Sequence, residues 1–290
     1  MPPGTSYAVT AASGQLGGRV ARRLTAGGVA QRLVVRDPAR APRLPGAEVA
    51  VAAYEDGEAM RRALDGVATL LLVSASERED RVRVHRSAVD AAVAAGVGRI
   101  VYVSFLAAAE DATFTFARDH WHTEQHVRAA GVRHTFLRDS IYLDYVPLFA
   151  GGDGVIRGPA GDGRVAAVAR DDVADVAVAV LLGEGHDGRT YDLTGPEPFT
   201  LAEAAEELSR AGARTVAYHA ETVEEAYATR ASYGAPGWMV DGWVSTYLAI
   251  AAGELDVVSD AVARLAGHPP ATLAGWLRRN PDSWRHLAGR

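Results

Sequence analysis

The stretch TAASGQLGG, Thr10 to Gly18, carries the first chemistry legible in this chain. It follows the short apolar run Tyr7-Ala8-Val9, and Gly14 and Gly17 stand three apart where a helix opens at Gln15. A strand, a glycine turn and a helix N-terminus together bind a pyrophosphate. The first-turn N–H groups lack backbone partners, the helix end carries partial positive charge, and glycine lets the ligand approach the backbone. On this reading Thr10, Ala11, Ser13, Gly14, Gln15, Leu16 and Gly17 form the cradle. Gly14 gives close approach, Gly17 lets the helix pack tightly on the strand, and Ser13 adds a hydroxyl donor. Ala11 departs from the pattern, because a Cβ restricts the freedom that the first position often uses. It predicts weakened affinity. An ordinary β–α turn is the plainer reading of so short a motif.

The second apolar run ends VVRDPAR, which puts Arg36 where the ribose of a dinucleotide is read, with Arg40 one turn further on. Arginine there suits the 2′-phosphate of NADP, whereas a carboxylate binds the 2′-hydroxyl of NAD. Asp37 keeps the second option open, and NADP(H) is expected in preference to NAD(H).

What the chain lacks narrows the rest. It has no cysteine, so disulfides, thiolate nucleophiles and Cys-based metal sites are excluded. All 30 basic residues are Arg, so no mechanism that needs a lysine amine can operate. Net charge is −6 with no basic block, which argues against nucleic acid as the main partner. His120, His122 and His126 share one stretch, but His122 and His126 have no evident third ligand and there is no HExxH, so no metal is expected. A Gly-x-Ser-x-Gly elbow is absent, which leaves a serine hydrolase without support.

The elements that must position these residues follow from periodicity. Short β-branched runs (Tyr7–Thr10, Arg32–Val35, Glu48–Ala52, Thr69–Ser74, Arg99–Ser104, His134–Arg138) alternate with Ala-rich helical stretches at Gln15–Ala26, Asp56–Leu64, Val82–Ala95 and Arg118–Ala130. Runs such as LLLV and IVYV are apolar throughout, the mark of parallel strands covered on both faces. The predicted class is therefore α/β, a Rossmann-like doubly wound parallel sheet with a smaller C-terminal α+β lobe. Residues 1–150 are expected to form the nucleotide-binding domain and 151–290 the lobe, with about 165–200 packing back on the first domain. GGDGVIRGPAGDGR reads as a loop with at most a short extended piece. A helix over Asp172–Leu182 capped by Asp171 or Asp172 follows, then a strand near Thr190–Leu193 and a capping box at Thr200 and Glu203. The remainder from Val223 is helical. No apolar run spans a bilayer: the best, Val173–Leu182, is short and broken by Asp175. MPPGTSYAVT lacks a basic segment before an apolar one, so no signal peptide and a cytoplasmic location are expected.

Several segments, in order, carry a likeness. TAASGQLGG, VVRDPAR, LLLVSASE, HRSAVDAAVAAGVGRIVYVS, HTEQHVRAAGVRHTFLRDSIY and LAGHPPATL resemble the NmrA-like branch of the atypical short-chain dehydrogenase/reductases, in particular its type 2 NAD(P)H:quinone oxidoreductases. The resemblance implies a Rossmann domain, a small lobe with the substrate in the cleft between, and cofactor contacts from Ser74, Ala75 and Ser76. Ser104, Phe105 and Asp139 at the next strand ends join them, with Ser140 and Tyr142 following. Typical short-chain reductases use Tyr-x-x-x-Lys, which a chain without lysine cannot. His120 and Glu124, four apart on one helix face, fall near those places. Glu124 is then a cofactor contact and His120 a proton donor or a structural histidine, with Tyr142 a second catalytic candidate.

The missing lysine also fits a quinone, which accepts hydride into a delocalised hydroquinonate and needs no strong acid. The expected activity is NADPH-dependent reduction of a small aromatic or quinone substrate, in detoxification or on a polycyclic quinone in biosynthesis. The alternative is a non-catalytic NmrA-like redox sensor. Phe114, Phe116, Trp238, Met239, Trp243 and Tyr247 offer an apolar slot for a flat ring, or plain core. No nucleic-acid or membrane partner is expected, and a homodimer is left open.

Overall fold

A computed structural model describes residues 6–212 and 214–287. The first half alternates as its apolar runs predict: β1 (Tyr7–Thr10), α1 (Gln15–Ala26), β2 (Gln31–Val35), β3 (Ala47–Val51), α2 (Gly57–Ala63), β4 (Thr69–Val73), α3 (Arg81–Ala94), β5 (Arg99–Phe105), α4 (Thr115–Ala129) and β6 (Arg133–Asp139). The second half runs β7 (Val155–Gly158), β8 (Arg164–Val165), α5 (Arg170–Leu182), β9 (Arg189–Leu193), β10 (Phe199–Thr200), α6 (Leu201–Gly212), β11 (Ala217–Ala220), α7 (Val223–Ala231), α8 (Gly237–Ala251), α9 (Ala261–Ala266) and α10 (Leu273–Arg279).

A seven-stranded sheet is ordered β3-β2-β1-β4-β5-β6-β9, and β1 pairs in parallel with both β2 and β4. Winding reverses between β1 and β4, so the loops leaving those two strands diverge and open a crevice, the general ligand position of a doubly wound sheet. The central strands are sealed on both faces: Ala8, Val9, Leu70, Leu71, Leu72 and Ile100 are wholly buried. Helix α1 covers them with Leu16, Val20, Ala21 and Leu24, a stripe at helical spacing.

The chain divides into two compact units. The first holds the described residues up to Glu110 with Asp119–Arg138 and Val173–Tyr191. Within it Asp175 of α5 pairs with Arg23 of α1 at 2.6 Å. The second holds Asp111–Arg118, Asp139–Asp172 and the described residues from Asp192 on. There the Thr200 hydroxyl accepts from the Glu203 N–H at 3.1 Å and the Glu203 carboxylate from the Thr200 N–H at 2.7 Å, the expected capping box.

One local expectation, the cap of α5, is corrected. Helix α5 begins at Arg170, so neither Asp171 nor Asp172 caps it; the Asp172 carboxylate accepts from the Ala271 N–H at 2.8 Å. The glycine-dense stretch holds β7 and opens β8, which pair with β11 and β10. Strand β11, absent from the sequence reading, is mostly exposed and so shows no apolar alternation. Among the described residues no helix is long and apolar enough to cross a membrane.

Candidate functional site

Ala11 leaves β1 with φ +48°, in the left-handed region that favours glycine. Its carbonyl accepts from the Gly14 N–H at 2.8 Å, which closes the turn and starts α1 at Gln15. A Cβ on Gly17 would lie 2.5 Å from the Ala11 oxygen and 2.7 Å from the Thr10 oxygen, so only glycine lets α1 sit this low on the strand end. One on Gly14 would lie 3.1 Å from the same Ala11 oxygen. Gly14 also provides no side-chain cap to α1, and the first turn has no acidic residue, which keeps the helix N-terminus open to an anion.

A pocket of about 230 Å3 lies here, wholly within the first unit. Ala11, Ser13 and Gly14 line one side, and Ser74, Ala75 and Ser76 from the end of β4 line another. Arg36 and Arg40 stand at its rim beyond β2, both exposed and neither with an ion-pair partner among the described residues. The Asp37 carboxylate is turned away onto the Ala39 N–H at 2.9 Å. Arg78 joins the rim but is paired with Asp80 and Glu55. Open N–H groups, a glycine cradle and two unneutralised guanidinium groups fit the phosphates of a dinucleotide. Tyr54, Ala52 and Arg78 were not anticipated; the loops that bring them here leave no periodic signal.

Some residues read from the sequence as cofactor contacts support the site from behind it. The buried Thr10 hydroxyl accepts from the Val73 N–H at 2.9 Å, donates to the Leu71 carbonyl at 3.1 Å and meets the Tyr54 hydroxyl at 2.5 Å. Ser104 and Glu124 are both wholly buried, and the Ser104 hydroxyl donates to Glu124 Oε1 at 2.7 Å. Arg138 grips the same carboxylate with bonds of 2.8 and 2.7 Å. These side chains are consumed by one another, so contact with a ligand is closed to them. Leu16 is buried and Gln15 exposed, and either contributes its N–H at most.

His120 is also buried. Arg81 Nη2 lies 3.1 Å from its Nε2, and guanidinium groups only donate, so Nε2 accepts. The ring proton then sits on Nδ1 and goes to the Tyr102 hydroxyl oxygen at 2.9 Å. Burial first, and the Arg81 charge second, hold the imidazole pKa well below its usual value, and the ring is neutral. Phe105 packs against it with ring centroids 6.1 Å apart. His122 lies edge-on to Trp121, and His126 pairs with Asp90 at 2.7 Å, so the three histidines face different surroundings.

In the second unit the Tyr142 hydroxyl donates to the buried Asp139 carboxylate in a very short bond, and burial and that charge push the phenol pKa well up. Arg170 lies over the Tyr142 and Tyr145 rings, 4.5 Å from each centroid. Ser140 Oγ is buried without a partner among the described residues. The six apolar residues do not form one slot. Phe116 packs on Phe114 and Trp238, whereas Trp243 and Tyr247 line another pocket, of about 340 Å3, with Tyr233 and Phe149.

Comparison with known proteins places this geometry. A family model described as NAD(P)H-binding matches residues 11–184. The chain is 36% identical to quinone oxidoreductase 2 of Escherichia coli over 92% of its own length and 96% of that protein's. It is 35% identical to a (4-alkanoyl-5-oxo-2,5-dihydrofuran-3-yl)methyl phosphate reductase of Streptomyces griseus, over 95% and 98%. Among solved structures, the NADPH complex of the NADPH-dependent E. coli quinone oxidoreductase superposes with a TM-score of 0.86 at 34% identity, covering 97% of this chain and 99% of that one.

Two outcomes follow from the site itself. Ala11→Gly relieves the left-handed alanine and is expected to raise unfolding free energy by about 1 kcal/mol, read by urea denaturation. A destabilised variant would mean that the turn carries no such strain. Neutral buried histidines take up protons on unfolding, so stability is lost as pH falls below the ordinary histidine value of 6.5, by roughly 1.4 kcal/mol per pH unit for each ring. His120→Gln is expected to flatten that slope by one ring's share; an unchanged slope would contradict the neutral assignment.

Proposed function

Because the chain belongs to the NAD(P)H-binding, NmrA-like family and is an NAD(P)H-dependent oxidoreductase, we propose that it prefers NADPH and reduces quinone-like substrates. The observation that carries the cofactor preference is the pair Arg36 and Arg40, exposed at the pocket rim without carboxylate partners among the described residues while Asp37 is spent on its own turn. Two unpaired cations, with the Asp37 and Glu55 carboxylates already bonded to Ala39 and Arg78, favour a 2′-phosphate over a 2′-hydroxyl.

When bound, NADPH supplies hydride. The chain's own groups bind and orient it. The α1 N-terminus receives the pyrophosphate, Arg36 and Arg40 the 2′-phosphate, and the Ser74 and Ser76 hydroxyls, which have no protein partner among the described residues, remain for the ligand. Fixing the donor carbon against a flat acceptor accounts for most of the rate in this reading, through proximity and orientation. Hydride to a quinone and one proton give the hydroquinone. The proton comes from solvent, since His120 is neutral with both nitrogens engaged and Tyr142 donates to Asp139. The S. griseus relative is named for an unsaturated oxo-furan and the E. coli one for quinones, which favours conjugated, electron-poor acceptors here.

Purified protein with NADPH and a panel of simple quinones tests the reading by loss of NADPH absorbance. Turnover is expected; cofactor binding without turnover across the panel points to a non-catalytic sensor instead. Arg36→Ala is expected to weaken NADPH about tenfold or more and to leave NADH within twofold, from the loss of a charge-assisted hydrogen bond. Equal effects on the two cofactors would remove the preference.

A further inference from the structure

Helix α3 places Arg81 and His85 four residues apart on its buried face, in a stripe otherwise made of Val84, Ala88, Val89, Ala91 and Ala92. A guanidinium and an imidazole on so apolar a face need partners, and both find one in Ala75. The Ala75 N–H donates to His85 Nε2 at 2.8 Å, and Arg81 Nε donates to the Ala75 carbonyl at 3.0 Å. Both backbone polar groups of the middle residue in Ser74-Ala75-Ser76 are thus drawn inward. The hydroxyls of Ser74 and Ser76 on either side are left to the pocket.

The hydrogen positions on His85 follow from its partners. An amide only donates, so Nε2 accepts and the neutral ring carries its proton on Nδ1. That proton goes to Thr123 Oγ1 at 2.8 Å, and the Thr123 hydroxyl donates in turn to the Asp119 carbonyl at 2.8 Å. Arg81 is fixed in the same way by His120 at 3.1 Å and Asp119 at 3.9 Å. Burial, then the Arg81 charge, lowers the His85 pKa to about 3, so the ring stays an acceptor at any working pH.

We infer that His85 is a positioning residue of the cofactor site: its Nδ1–H tautomer holds the Ala75 N–H, and with Arg81 sets the wall that Ser74 and Ser76 present to the dinucleotide. The inference rests on the NADPH reading of the pocket. It goes beyond it by assigning a function to a side chain that touches no ligand.

The test uses the full chain and NADPH itself. Dissociation constants from NADPH fluorescence are measured for wild type, His85→Leu, which leaves the Ala75 N–H unpaired, and His85→Gln, whose carbonyl reaches the Nε2 position. Leu is expected to weaken NADPH tenfold or more and Gln to stay within threefold of wild type. Nitrogen-15 NMR of the wild-type imidazoles is expected to find His85 protonated on Nδ1. Leu binding like wild type, Leu and Gln weakened alike, or a proton on Nε2 would each overturn the assignment. Should His85→Leu not fold, the Gln variant and the tautomer decide it: retained affinity supports the role and lost affinity rejects it. A wild type that binds no NADPH removes the cofactor reading and this role together; a wild type that binds, with an unaffected Leu variant, removes only the role.

Discussion

The Thr10 hydroxyl fastens β1 to β4 at the point where the sheet reverses its winding. Parallel strands there would splay as their loops part in opposite directions, and a buried hydroxyl that accepts from Val73 and donates to Leu71 holds them at the crevice mouth. The Tyr54 hydroxyl, with one proton to give, lies 2.5 Å from the same oxygen and 2.6 Å from the Val73 carbonyl, which brings the loop after β3 into the arrangement. The groups that face a ligand hang from strand ends: the Ala11 turn from β1, the arginines from β2, and the serine segment from β4.

Behind that lining the chain has spent its polar groups on rigidity. Glu124 is a wholly buried carboxylate, tolerable only because Arg138, Arg128 and Ser104 surround it. Arg81, His85, His120, Tyr102 and Thr123 form a second set in which both imidazoles have each ring nitrogen engaged. A half-satisfied network of this kind would destabilise the fold, whereas a complete one holds one geometry. Hydride transfer depends on distance and angle, so a rigid scaffold behind an open anion site suits a chain without lysine and with its buried histidine rings kept neutral.

Much of the fold was legible because its signals are local. Gly14 and Gly17 mark a turn and a close approach that only their own neighbourhood dictates, and Gln15–Ala26 carries its apolar stripe in plain view. Arg36 and Arg40 were readable for the same reason, as charges at the end of an apolar strand. Ala11 was read as a loss of affinity; the structure turns it into a question of strain, since the residue keeps the glycine conformation and bears its cost. The bonding of Ser104, Glu124 and Arg138 to one another was not legible because the partners are distant in sequence: Arg138 lies 14 residues from Glu124, and Ser104 lies 20. The pairing of β7 with β11 is equally non-local. One signal was present and unused, the Arg81–His85 pair on the apolar face of α3, where an arginine and a histidine could not be buried without something to hold.

A dinucleotide seated in the crevice between the β1 and β4 loops of the first unit would shield both loops at once. Hydrogen–deuterium exchange with and without saturating NADPH addresses it directly. Backbone amides of Gln15–Gly17 and of Ser74 and Ser76 are predicted to gain protection together, with those of Arg36 and Arg40 following. Saturating NADPH that leaves the amides of both loops exchanging at their free rates would contradict it.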